Sequence, residues 1–215
     1  MRWTKREQNP RLGPRSGSIL LALTLLAAFR PDAAQGQSAP TRLDGGAQVI
    51  FLSSSTFDAA DVGLGGRIAW HPIELLGVEA ELNLYPRSFP GPRAFSRHRA
   101  EGLFGLTAGV PFGRLRPFLR VRPGFVTVRE APEPFPCILI FPPPLACALA
   151  SGRTLFALDI GGGVEVPTSS ATFVRLDLGD RLLRYPGPVF DARTRRDGPF
   201  MGHDFRMAAG AGLRF

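Results

Sequence analysis

The stretch Asp204-Phe-Arg-Met-Ala-Ala-Gly-Ala-Gly-Leu-Arg-Phe215 changes character at almost every step. Phe205, Met207, Ala209, Ala211, Leu213 and Phe215 share one parity; Arg206, Gly210, Gly212 and Arg214 share the other. Side chains alternate across an extended chain, so this period of two marks a strand with one apolar and one polar face. Working outward, seven more segments read the same way: about Gly45–Ser53, then Val62–Trp70, Leu75–Tyr85, His98–Val110, Arg116–Val128, Leu155–Val166 and Thr172–Leu183. Asp180 is an exception, placed on the apolar face near a strand end.

Composition agrees with strands. The chain has 215 residues with 25 Gly and 21 Pro, which disfavours a helical bundle, and at 44% hydrophobic it is too apolar for a disordered chain. Two Cys exclude a disulfide-dense scaffold and a four-Cys zinc site. Residues 1–36 read as a cleavable signal peptide. Arg2, Lys5, Arg6, Arg11 and Arg15 precede a short apolar run, Ser18–Phe29, and small residues follow at Ala33-Ala34-Gln35-Gly36. The apolar run is too short to span a bilayer. Residues 37–44 form a short lead, and the alternating segments occupy 45–215. Without the N-terminal segment the net charge of +8 falls by half, which weakens a nucleic-acid reading.

The connections alternate in length. His71–Glu74, Pro111–Leu115 and Pro167–Ala171 are short; Ser54–Asp61, Pro86–Arg97, Arg129–Thr154 and Arg184–His203 are longer. An even number of antiparallel strands with this alternation predicts an up-and-down meander closed into a barrel, long loops at one end and both termini at the other. The polar parity should face inward. It is rich in glycine, as at Gly63, Gly105, Gly161 and Gly210, which suits a crowded eight-strand interior and would only weaken a solvated face. It also carries Arg67, Arg99, Arg120, Arg122, Arg175, Arg181, Arg206 and Arg214 against Glu79, Glu81, Glu101, Asp159, Glu165 and Asp177. Near-balanced charge is what a closed interior requires, because an unpaired buried charge costs several kcal/mol. Eight strands leave an interior just filled by side chains, so these charges should form a salt-bridged plug.

With an apolar exterior, a signal peptide and a strand ending on Phe215, the chain resembles the small eight-stranded bacterial outer-membrane β-barrels of the OmpA transmembrane-domain, OmpX and OmpW type. The resemblance covers roughly 44–215 and rests on architecture. It implies an all-β, eight-stranded antiparallel transmembrane barrel in the outer membrane of a Gram-negative bacterium. It also implies Phe215 as an assembly signal, and contact with outer-membrane lipid, lipopolysaccharide and the barrel-assembly machinery during insertion. The expected chain is a monomer that binds no nucleic acid, has no peptidoglycan-binding domain after the barrel, and uses no cofactor, metal or catalytic residue. The family spans structural and adhesion proteins, narrow porin-like channels for small solutes and a few lipid-modifying enzymes, so fold does not settle function.

Four local features are weighed on chemistry. Cys137 and Cys147 share the longest loop, and an exported setting favours a disulfide; it would stabilise the loop by about 2–3 kcal/mol in the chain-entropy model. Ser96, His98 and Glu101 hold the residue types of an outer-membrane lipid A deacylase, but Glu101 should face away from His98, against the geometry nucleophilic catalysis needs. Gly161-Gly162-Gly163 precedes no helix and is not a phosphate loop. The run Arg193-Thr194-Arg195-Arg196-Asp197 is a candidate contact for lipopolysaccharide phosphates or an acidic partner. Thiol labelling of the folded, non-reduced protein should modify neither cysteine, and modification of both removes the disulfide.

Overall fold

In the computed structural model the described residues are 42–87, 99–130, 141–187 and 198–215. Residues 1–36, read above as a signal peptide, and Ser96, His98, Cys137 and the run 193–197 lie outside them. Eight strands follow one another along the chain: β1 Arg42–Ser54, β2 Ala59–His71, β3 Leu76–Tyr85, β4 Arg99–Gly109, β5 Arg116–Val128, β6 Arg153–Pro167, β7 Thr172–Tyr185 and β8 Phe200–Arg214. One short helix, α1, spans Leu145–Ala150 between β5 and β6.

Each strand pairs antiparallel with its sequence neighbour, and β8 returns to pair with β1, so the barrel is closed. The seam runs from Asp44↔Arg214 to Ser54↔Asp204, and the Phe215 amide donates to the Leu43 carbonyl at 2.8 Å. Closure leaves no sheet edge unpaired. Within the β4–β5 ladder, pairing lapses between Leu103↔Gly124 and Leu106↔Val121. Pro123 sits in the gap, and its missing N–H removes a ladder donor without shifting the register.

Two boundaries differ from the sequence reading. β1 starts at Arg42, so the end of the 37–44 lead belongs to the barrel. The first connection is a tight turn, Ser55–Asp58, with Asp58 at φ 51°. The pairs Leu52↔Asp61, Ser53↔Ala60 and Ser54↔Ala59 carry both strands further than polarity alone suggested.

Burial is inverted relative to a water-soluble barrel. Leu106 is 65% exposed and Leu119 64%, while Arg122 and Arg206 are 0% exposed. Alternation places the apolar parity outside and the charged parity inside on every strand. Toward the long-loop end the inward parity turns apolar chiefly on β5 and β6. Leu103, Val126, Val128, Leu155, Leu183 and Tyr185 pack there in one cluster with Leu145, Ala148 and Leu149 of α1. Phe57 packs against the same cluster. α1 therefore packs onto this part of the inward-facing wall.

Inward glycines set how closely the strands and the charged side chains approach. A Cβ on Gly124 would collide with the Gly102 carbonyl oxygen, and one on Gly105 with the Val121 carbonyl oxygen; both obstacles are backbone and cannot yield. On the outer wall, a Cβ on Gly66 would meet only the Gly46 carbonyl oxygen at 3.8 Å, an ordinary contact. Gly124→Val should therefore destabilise the barrel by about 1–3 kcal/mol, the usual cost of overpacking. Gly66→Ala should be nearly neutral; urea unfolding midpoints in detergent micelles compare the two.

Candidate functional site

The interior charges form a continuous column along the barrel axis. Near the short-turn end, Arg67 approaches Asp44 at 3.4 Å and donates to Glu79 at 3.0 Å. His71 Nδ1 lies 3.3 Å from the second Asp44 oxygen, and Arg116 Nη1 lies 3.2 Å from His71 Nε2. Arg116 and Arg214 both face Glu165, the first at 3.8 Å and the second in direct contact.

The centre is denser. Glu79 accepts from Arg67, from Arg122 and from Arg175, the last at 2.6 Å. Asp159 takes Arg120 Nε and Arg122 Nη2, each at 2.7 Å. Asp177 joins Arg120 to Arg175, and Glu81 joins Arg122 to Arg206. Arg206 Nη1 and Asp159 Oδ1 face each other at 3.8 Å, an ion pair without a hydrogen bond. Toward the long-loop end, the Asn83 amide bridges Glu81 and Glu101, and Tyr85 Oη donates to Glu101 at 2.6 Å. Arg181 spans Glu101 and Asp204, and Arg99 pairs with Asp61. Aromatic faces cover several guanidiniums: Arg175 sits 4.0 Å from the Phe118 centroid, and Arg67 and Arg214 sit 5.0 and 5.1 Å from Phe173.

All fourteen interior residues named from sequence occur in this column. Four further charges complete it. Arg116, Asp44, Asp61 and Asp204 bring the described interior to nine arginines and nine carboxylates. Each of the four has the parity of its inward neighbours. Asp44 and Asp61 escaped because they lie beyond the strand ends set by polarity, while Arg116 and Asp204 sit at the outermost inward positions of their segments. The expected eight-to-six excess is thereby corrected to numerical balance.

The other candidates separate. Glu101 is 0% exposed, turned inward, and held by Tyr85, Asn83 and Arg181, so it cannot orient a histidine outside the barrel. Gly161 and Gly163 line the interior opposite Gly179 and Asp177 of β7. Among the described residues no cysteine is free, and Cys147 lies half-buried in α1. Phe215 extends the β8 seam and leaves its ring 76% exposed. No cluster of His, Cys, Asp or Glu able to hold a metal ion occurs among the described residues.

Comparison with known structures places this geometry. The N-terminal β-barrel domain of Pseudomonas aeruginosa OprF superposes with a TM-score of 0.50 at 12% identity, covering 84% of this chain and 100% of that one. Neisserial surface protein A superposes with a TM-score of 0.52 at 14% identity, with the same coverage. The fold is that of the small eight-stranded outer-membrane barrels. No protein-family model matches the sequence. No curated protein matches it either.

Asp159 contacts three buried arginines, so its removal strands positive charge in the densest part of the column. Asp159→Ala should destabilise the barrel by about 3–5 kcal/mol, the usual penalty for breaking a buried pair from one side. Adding Arg122→Met should recover part of that loss, giving a non-additive double-mutant cycle. Additive losses in urea unfolding would mean that the column is not coupled.

Proposed function

We propose that the protein is a non-enzymatic β-barrel of the bacterial outer membrane, exported by its N-terminal segment, with a structural or loop-displaying role and a largely closed interior. The observation that carries this reading is the combination of an apolar wall with a buried, charge-balanced interior. A wall exposing Leu106, Leu119, Phe104 and Leu82 at 60% or more belongs in hydrocarbon, since a soluble protein rarely leaves so large a continuous apolar surface in water. Phe51, Phe125, Phe156 and Phe205 stud the half of the wall nearer the long loops, and Trp70, Phe112 and Phe215 stud the short-turn end. Two such aromatic girdles are the mark of a barrel seated between two interfaces. The likeness to OprF and to the Neisserial protein supports the fold on which this rests.

Two barriers support closure. The charge column fills the central interior with buried guanidiniums and carboxylates. Above it, α1 and the inward Leu, Val and Tyr side chains form an apolar cap at the long-loop end. At the other end a pocket of about 160 Å³ opens between His71, Glu74, Arg114, Arg116 and Arg214, with the column behind it. A disulfide between Cys137 and Cys147 would tie the loop that carries the cap. Outer-membrane lipid, lipopolysaccharide and the assembly machinery are the partners this reading implies.

In planar lipid bilayers the purified protein should give no steady large single-channel current. Sustained currents would overturn the closed interior and favour a narrow porin-like channel for small solutes.

A further inference from the structure

The outer wall carries one break in its apolar character. Among the described side chains of the eight strands, the ionisable groups on the outward parity are Asp180 and Arg184 of β7 and His203 of β8. The other described charged side chains of the strands lie on the inward parity, nearly all of them in the column. The three are neighbours. His203 Nδ1 lies 2.8 Å from Asp180 Oδ2, with the two side chains 60% and 47% exposed. Arg184 pairs in register with Met201 and Leu182 with His203, so Arg184 and His203 are diagonal neighbours on adjacent strands. Long side chains in that relation can meet at one ligand.

An exposed ion pair adds almost nothing to stability, so folding alone does not explain the pair. On an apolar wall its charges are unfavourable unless they meet a polar partner, and least so near the interface. The depth fits an interface: Asp180 is level with Phe205 of the upper aromatic girdle, its register partner. The backbone there is pinned, since the Ser55 amide and hydroxyl both donate to the His203 carbonyl, at 3.0 and 2.6 Å. With Nδ1 committed to Asp180, the imidazole has Nε2 left for a ligand, beside a guanidinium suited to bidentate contact with phosphate oxygens.

We propose that Arg184 and His203, with Asp180 orienting the imidazole, bind the phosphate of an outer-leaflet lipid headgroup. The site rests on the membrane reading above and gives it a fixed lipid contact. A free anion would find it poorly placed, because the flanking Phe156, Met201 and Phe205 side chains offer acyl-chain contact instead.

The test is native mass spectrometry of the purified protein in detergent micelles, offered phosphorylated lipid A or its dephosphorylated counterpart. The native protein should retain the phosphorylated lipid about tenfold better or more, as expected for loss of one or two charge-assisted hydrogen bonds. Arg184→Gln and His203→Gln should each reduce that preference, and Arg184→Lys should keep part of it. All three positions face outward, so the electrophoretic shift of the unheated folded form should be unchanged. Equal retention of the two lipids by the native protein overturns the site, as does a preference that survives Arg184→Gln combined with His203→Gln. Displacement by millimolar inorganic phosphate overturns the lipid assignment. Failure of the protein to enter lipid vesicles at all would instead overturn the membrane reading, which separates the two failures.

Discussion

A charge buried in a narrow barrel must find its opposite within a few ångströms, and this requirement shapes the rest of the molecule. Nine arginines and nine carboxylates meet that condition along the axis. The column leaves little room, so inward positions between the long side chains fall to glycine, as at Gly105 and Gly124, where strand backbones crowd the site of a Cβ. Eight strands supply a lumen of about the right width for side chains to fill and no more. Pairing, glycine placement and strand number are therefore one solution to one constraint.

The interior solves two problems in two chemistries. In the middle and toward the short turns, polarity is retained and neutralised by pairing. Toward the long loops it gives way chiefly on β5 and β6, and α1 brings Leu145 and Leu149 down onto Leu103, Val126 and Leu183, while Arg99 with Asp61 and Arg181 with Asp204 keep the pairing on the other strands. Burial of such side chains contributes roughly 1.5–3 kcal/mol each, without any demand for geometry. The charged part supplies specificity of register, because a shift by one residue would turn every arginine to the outside.

The fold was legible because alternation is a local signal. Each strand declares its two faces within ten residues, and β5 was delimited to the residue at Arg116–Val128. Asp44 and Asp61 were missed for a definite reason. Strand limits drawn from polarity stop where apolar residues stop, whereas hydrogen bonding continues, as Ser54↔Ala59 shows. The apolar cap was missed for the complementary reason. At Leu103, Val126 and Leu155 the inward parity holds but its chemistry reverses, so a face identified by polarity loses its marker.

The sequence by itself determined the strand count, the closed meander, the outward direction of the apolar parity and fourteen members of the charge column. Each of these follows from period two and from the balance of fixed charges, which need no knowledge of distant contacts. Tertiary structure alone decided which arginine meets which carboxylate, as in Arg175 with Glu79 across the lumen. It alone decided that α1 folds over the interior, and that Asp180 and His203 come together on the outer wall beside Arg184. Those relations depend on register and barrel curvature, which bring together residues far apart in the chain and leave no periodic trace along it.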